Sequence, residues 1–73
     1  MTKGKYDLAY ILESGGSVEV DATRFGKYDL AYLAEAAKRG GGMLIVKNAS
    51  KFGKYDLAYI AESGKGHVIF RDL

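Results

Sequence analysis

The heptapeptide Gly-Lys-Tyr-Asp-Leu-Ala-Tyr occurs three times in this chain of 73 residues, at residues 4–10, 26–32 and 53–59. The second and third copies share more, because the residues just before them, 21–25 and 48–52, differ only conservatively. Repetition at a spacing of roughly 20–50 residues is typical of proteins that stack one supersecondary unit on the next. We therefore divide the chain into one domain of three units, residues 1–22, 23–49 and 50–73.

The first half of each unit predicts an α-helix. In the third copy, Leu57 and Ile60 recur at the spacing of one helix face. Gly53 suits the N-cap, and Asp56 then lies in the first turn, where its negative charge meets the positive end of the helix. Phe52, just before the cap, is expected to pack on Leu57.

The second half of each unit predicts a β-strand. β-Branched and aromatic residues concentrate at residues 17–21, 43–47 and 67–71, each after a glycine cluster that suits a helix end. Strands that alternate with helices predict an α/β fold of order α-β-α-β-α-β. We expect a small parallel sheet, with strands in sequential order and the helices on one face.

One alternative concerns the heptapeptide itself. Its Tyr-Asp-Leu-Ala-Tyr segment alternates large and small residues, as a strand can. The continuation of the second copy, Ala-Glu-Ala-Ala-Lys-Arg, favours the helix because these residues have high helix propensity.

All six tyrosines lie in the repeat, two per copy at i and i+4, so each pair shares a helix face. One interpretation is that the rings pack sideways against the next helix, with their hydroxyls in water. The other is that they form an interface, because tyrosine offers a large contact area at low entropy cost. The interface candidates are Tyr6, Tyr10, Tyr28, Tyr32, Tyr55 and Tyr59.

The predicted sheet has a face without helices and two unpaired edges. Parallel sheets are normally covered on both faces, and free edge strands invite pairing with other chains. The open face is expected to show residues such as Val46 and Phe70, or the residues that alternate with them. Pairing of open faces or of end strands predicts a homo-oligomer, most simply a dimer.

Basic residues lie where each predicted strand leads into the next helix. Helix N-termini bind anions, and parallel α/β sheets bind ligands at the carboxyl ends of their strands. Weak nucleic-acid or anion binding is therefore the alternative function, although a net charge of +2 is too small to indicate nucleic acid by itself. The anion-binding candidates are Arg24, Lys27, Lys51 and Lys54.

The sequence does not predict an enzyme. It has no cysteine, and its single histidine, His67, has neither a set of zinc ligands nor an evident nucleophile beside it. The aspartates and glutamates of the helices recur in every unit, as packing and capping residues do and catalytic residues do not. We expect a non-enzymatic module, without cofactor or metal, that associates with itself and docks a protein partner.

The heptapeptide units, each followed by a glycine turn and a short strand, resemble those of small uncharacterised bacterial proteins built of helix–strand repeats. The resemblance spans almost the whole chain, and it implies no activity, cofactor or functional residue. The N-terminus lacks the apolar region of a signal peptide, and no apolar run approaches the roughly 20 residues that span a bilayer. These features lead us to expect a cytoplasmic protein that does not bind membranes.

Overall fold

Helices and strands alternate along the chain, as the sequence predicts. The computed structural model describes residues 3–73. The heptapeptide begins a helix in all three copies, so the strand alternative is wrong. The elements are α1 (Lys5–Glu13), β1 (Val18–Asp21), α2 (Lys27–Gly40), β2 (Leu44–Lys47), α3 (Lys54–Gly64) and β3 (Val68–Phe70).

Glycine caps the start of each helix, as expected. Gly26 and Gly53 have extended backbone with ψ of 171° and 173°. Their carbonyls accept the first helical hydrogen bonds, from the N–H groups of Leu30 and Leu57 at 3.0 Å. The second and third heptapeptides begin 27 residues apart, against 22 for the first and second. The longer spacing goes with a longer α2, which has 14 residues against 9 in α1 and 11 in α3.

The end of α3 differs from the prediction. The glycine cluster that begins at Gly64 was expected to follow the helix end, but Gly64 is the last helical residue, and Lys65 takes the left-handed conformation with φ of 46°. A Cβ at residue 64 would lie 2.4 Å from Val68 Cγ2 and 3.2 Å from the Cβ of Ala34. Gly64 is therefore needed for the close approach of α3 to its neighbours.

Short 3-10 turns follow the first two strands where the sequence predicts loops, at Ala22–Arg24 and Ala49–Lys51. Asn48 enters the second turn with φ of 58°, and Asp72 has φ of 63° at the equivalent place after β3. The third unit thus follows the path of the second up to the end of the described chain.

The sheet is parallel throughout, with strands in the order β1-β2-β3, which confirms the prediction. Each strand begins one residue later than predicted, and β3 also ends one residue earlier. The sequence left open whether Val46 and Phe70 or the residues that alternate with them lie on the open face. Val46 is fully buried against the helices, and Phe70 also packs on the core. The open face shows the alternating residues instead, among them Ile45 and Ile69.

The hydrophobic core lies between the helix layer and the inner sheet face. α2 is the central helix, because it contacts both α1 and α3, and its Leu30 and Leu33 are fully buried. Leu12 of α1 and Ile60 of α3 are fully buried as well and belong to the same cluster. In the described part of the chain, no helix has the length and apolar character needed to cross a bilayer.

Candidate self-association surfaces

Four of the six tyrosine rings meet between neighbouring helices. Tyr6 of α1 and Tyr32 of α2 have ring centroids 5.9 Å apart, and Tyr28 of α2 and Tyr59 of α3 have the same separation. The interplanar angles of 76° and 80° are those of edge-to-face pairs, a favourable arrangement for aromatic rings. Sideways packing is therefore confirmed for these four rings, and their role as an interface stays a prediction.

The ring contacts follow one rule along the repeat. The first tyrosine of each unit meets the second tyrosine of the following unit. This pattern gives no partner to Tyr10, the second tyrosine of the first unit, or to Tyr55, the first tyrosine of the last unit. These two rings have no aromatic partner within residues 3–73, and they are 73% and 80% exposed.

Two ion pairs between helices repeat from unit to unit in the same way, and a third joins Arg39 of α2 to Glu13 of α1. Lys5 Nζ lies 2.8 Å from Asp29 Oδ1, and the equivalent Lys27 Nζ lies 3.0 Å from Asp56 Oδ1. The hydrogen bond from each ammonium to its aspartate raises the pKa of Lys5 and of Lys27 above 10.5. Sequence reasoning missed these pairs, since it assigned the aspartates to the helix charge and Lys27 to anion binding. The available signal was that both residues recur at fixed positions in every copy.

The two ends of the repeat carry the unused halves of this ion pair. Asp7 is exposed in the first turn of α1, and Lys54 is exposed as the first residue of α3. Neither has an ion-pair partner in the part of the chain that the structure describes. The Lys54 ammonium lies 5.3 Å from the centroid of the Tyr55 ring, much as Lys27 lies 5.4 Å from that of Tyr28.

Aliphatic residues show the same difference between the interior and the ends. Leu33 and Ile60 are fully buried, whereas the equivalent Ile11 in α1 is 36% exposed. On the opposite side of the helix, Ala31 is buried and its equivalent Ala58 in α3 is exposed. Burial at these positions therefore follows the presence of a neighbouring unit.

We name the two ends of the helix layer by these residues. The leading flank is formed by Asp7, Tyr10 and Ile11 of α1. The trailing flank is formed by Lys54, Tyr55 and Ala58 of α3.

Polar groups near the carboxyl ends of the strands also link each unit to the next. Asn48 Nδ2 donates to Asp21 Oδ1 at 3.1 Å, and the backbone N–H of Asn48 donates to Asp72 Oδ2 at 3.0 Å. The pKa of Asp21 is lowered from 3.8 to about 2, mainly by the hydrogen bond from the Thr23 backbone N–H and next by the one from the Asn48 amide. This carboxylate is held ionised by donors from its own turn and from the following unit.

The open face of the sheet carries both apolar and charged side chains. Ile45 and Ile69 are directly opposite each other on neighbouring strands, and Ile69 is 43% exposed. Arg71 reaches across from beyond β3 to Glu19 on β1, with Nη1 and Oε2 3.4 Å apart. The apolar part of this face therefore lies on the middle strand β2 and the outer strand β3.

The structure divides the four anion-binding candidates. Lys27 is engaged by Asp56, and Lys51 Nζ donates to the backbone carbonyl of Ala22 at 3.1 Å. Arg24 lies 5.7 Å from the Phe25 ring centroid, and Lys54 belongs to the trailing flank. Anion or nucleic-acid binding by these residues stays a prediction, with Lys27 and Lys51 already bonded to groups of another unit.

A pocket of about 240 Å³ lies beside β1. Basic side chains of Lys3, Arg24 and Lys47 line it together with the acidic side chains of Glu19 and Asp21. This mixture of charges does not favour one class of ligand.

His67 makes a structural contact at the start of β3. Its Nδ1 lies 2.8 Å from the carbonyl oxygen of Gly42, and a protonated Nδ1 donates to that oxygen. Among residues 3–73, no three histidine, aspartate or glutamate side chains come together as a potential metal site.

Comparisons with protein-family models, curated proteins and solved structures give no match to this chain. The resemblance to helix–strand repeat proteins therefore stays an expectation.

Proposed function

We propose that this chain is a non-enzymatic interaction module that associates with copies of itself. The observation that carries the proposal is the exposure of Ile11, since the equivalent Leu33 and Ile60 are fully buried in helices that pack against a preceding helix. The first helix thus presents to solvent an aliphatic side chain at a repeat position that is completely covered in the other two helices. Association that buries such a side chain is favourable, at roughly 25 cal/mol for each Å² of apolar surface removed from water.

Two further apolar regions support the same proposal. Ala58 is exposed on the trailing flank, and Ile69 is exposed on the open face of the sheet. The strands β1 and β3 are the outer strands of the sheet, each with hydrogen-bonding groups on its outer edge. A domain of this size buries a modest fraction of its surface by folding, so covering these regions adds appreciably to its stability.

The role as a binding module rather than an enzyme is supported by what the polar side chains do. His67 bonds a backbone carbonyl, and two of the three repeated helix aspartates, Asp29 and Asp56, hold lysines of the preceding helix. These contacts serve the packing of units on one another. The repetition of the same side chains in every unit agrees with a structural role.

Sedimentation velocity over a series from low micromolar to millimolar protein tests the proposal. We expect the weight-average sedimentation coefficient to rise with concentration above the value of a 7.9 kDa monomer. The Ile11→Ser variant is expected to shift this rise to higher concentration. The matched variant Ile69→Ser, at the other exposed isoleucine, tests whether the open face of the sheet takes part in the association. A monomer at every concentration overturns the proposal.

A further inference from the structure

We infer that copies of this chain associate head to tail, with the trailing flank of one copy packed against the leading flank of the next. The inference rests on the proposed self-association and specifies its geometry. In this arrangement the third unit of one copy meets the first unit of another as neighbouring units meet within the chain. The occupant of each flank is therefore a second copy, bound through a contact that the fold already makes twice.

Charge complementarity supports this arrangement. Within the chain, the lysine that begins one helix binds the aspartate in the first turn of the next, at 2.8 and 3.0 Å. Lys54 on the trailing flank and Asp7 on the leading flank are the members of this repeated pair that have no partner within residues 3–73. Placed in the internal geometry, Lys54 of one copy meets Asp7 of the next and repeats the pair.

The rings and aliphatic residues complement each other in the same register. Tyr55 takes the place of Tyr6 and Tyr28, and Tyr10 takes the place of their partners, so the two leftover rings form a third edge-to-face pair. Ile11 is then covered as Leu33 is covered in the chain. Ala58 supplies the small residue opposite, because Ala9 and Ala31 occupy that position in the internal contacts and are 3% and 6% exposed.

The sheet extends in the same direction as the helix layer. β3 of one copy and β1 of the next are the strands brought together, and both run parallel in the internal register. That register places Val68 beside Val18 of the next copy. Backbone hydrogen bonds of two unpaired edges are thereby satisfied in the step that covers the flanks.

Head-to-tail contact has a consequence that distinguishes it from a face-to-face dimer. The two flanks are different surfaces, so the contact is heterologous, and each added copy presents a free flank for another. Association is therefore expected to continue beyond two copies. Pairing through Ile45 and Ile69 on the open sheet faces would use the same surface twice and stop at a dimer.

Charge reversal tests the inference by sedimentation velocity at low ionic strength. Asp7→Lys and Lys54→Asp each place like charges in the contact, and each is expected to raise the dissociation constant by roughly 3- to 30-fold. In an equimolar mixture, a contact between one variant and the other has opposite charges in either order, so alternating copies restore every pair, as the double variant does by itself. Both are expected to associate within about threefold of the original chain.

Controls of equal charge change lie on α2, whose two flanks are covered within the chain. Glu35→Lys and Lys38→Asp are both exposed there and are expected to leave association unchanged. Far-UV circular dichroism of each variant checks that the helices are retained, because Asp7 also interacts with the helix N-terminus.

The outcomes separate the inference from the proposed function. Loss in both single variants with recovery in the mixture supports head-to-tail contact. Association that stops at a dimer, or that is indifferent to both reversals, overturns the head-to-tail geometry and leaves self-association standing. A monomer at all concentrations in the original chain overturns both.

Discussion

Equivalent positions in the three units allow one substitution to be compared in two environments. Ile60 and Ile11 occupy the same place in the repeat, but Ile60 is fully buried and Ile11 is 36% exposed. Changing isoleucine to alanine removes three carbon groups, each worth about 0.8 kcal/mol when buried. At Ile60 the substitution also leaves a cavity between α3 and the core, so we expect a total loss of about 3–4 kcal/mol.

Ile11→Ala is expected to cost much less. About two thirds of the side chain is buried, which gives about 1.5 kcal/mol for the lost transfer free energy, and the site is open to solvent, so no closed cavity remains. The expected difference between the two variants is about 2 kcal/mol, or roughly 8–16 °C in melting temperature for a domain of this size. Relative to a total stability of about 4–11 kcal/mol, this difference is large.

Urea unfolding followed by circular dichroism measures this difference. The protein is kept at low micromolar concentration, so that association does not add to stability. Ile60→Ala should lower the midpoint strongly, and Ile11→Ala should lower it mildly but weaken self-association. Equal losses in the two variants would refute the idea that a neighbouring unit determines burial at this position.

Three further outcomes follow from the structure. Gly40→Ala places a Cβ 2.0 Å from the backbone oxygen of Leu12, so we expect it to lower the free energy of unfolding by about 1–3 kcal/mol or more. Gly53→Ala, with no atom within 4 Å of the new Cβ, should change it by less than about 1 kcal/mol, and thermal unfolding measures both. The lowered pKa of Asp21 adds stability that is present above pH 4 and is lost as the pH falls towards 2. Asp21→Asn should therefore reduce the pH dependence of the free energy of unfolding between pH 4 and 2. An unchanged pH dependence would contradict the assigned hydrogen bonds. Binding of single-stranded DNA by the basic loops, measured by fluorescence anisotropy, should fall steeply with salt. Self-association through the two flanks, with one repeated lysine–aspartate pair per contact, should fall only a few-fold, and equal salt dependence would contradict this separation.

The repeated heptapeptide makes much of the fold predictable. Gly26, Asp29 and Leu30 combine a cap, a favourable charge and an apolar face within five residues, and these local signals place the start of α2 correctly. The sequential order of the strands also follows, because a helix between successive strands leads to a neighbouring parallel position. Lengths and boundaries were less exact, since they depend on where packing stops rather than on local preference.

The misses concern contacts between units. Leu44, Ile45 and Val46 are all apolar, so alternation could not show which of them faces the helices. Gly64 looked like a cap, because its close approach to Ala34 depends on the distance between two helices. The pairing of Lys27 with Asp56 requires the lateral offset of neighbouring helices, and no single copy of the repeat contains that information.

Tyrosine cross-linking tests the end-to-end contact most directly. Photo-oxidation of a mixture of ¹⁴N- and ¹⁵N-labelled chains joins tyrosines that lie in contact, and digestion with trypsin separates the three helix tyrosine pairs onto residues 6–24, 28–38 and 55–65. Within one chain α2 separates the first and third of these peptides. Head-to-tail stacking predicts a mixed-isotope cross-link between residues 6–24 and 55–65 through Tyr10 and Tyr55. Mixed-isotope cross-links that leave out this pair would contradict it.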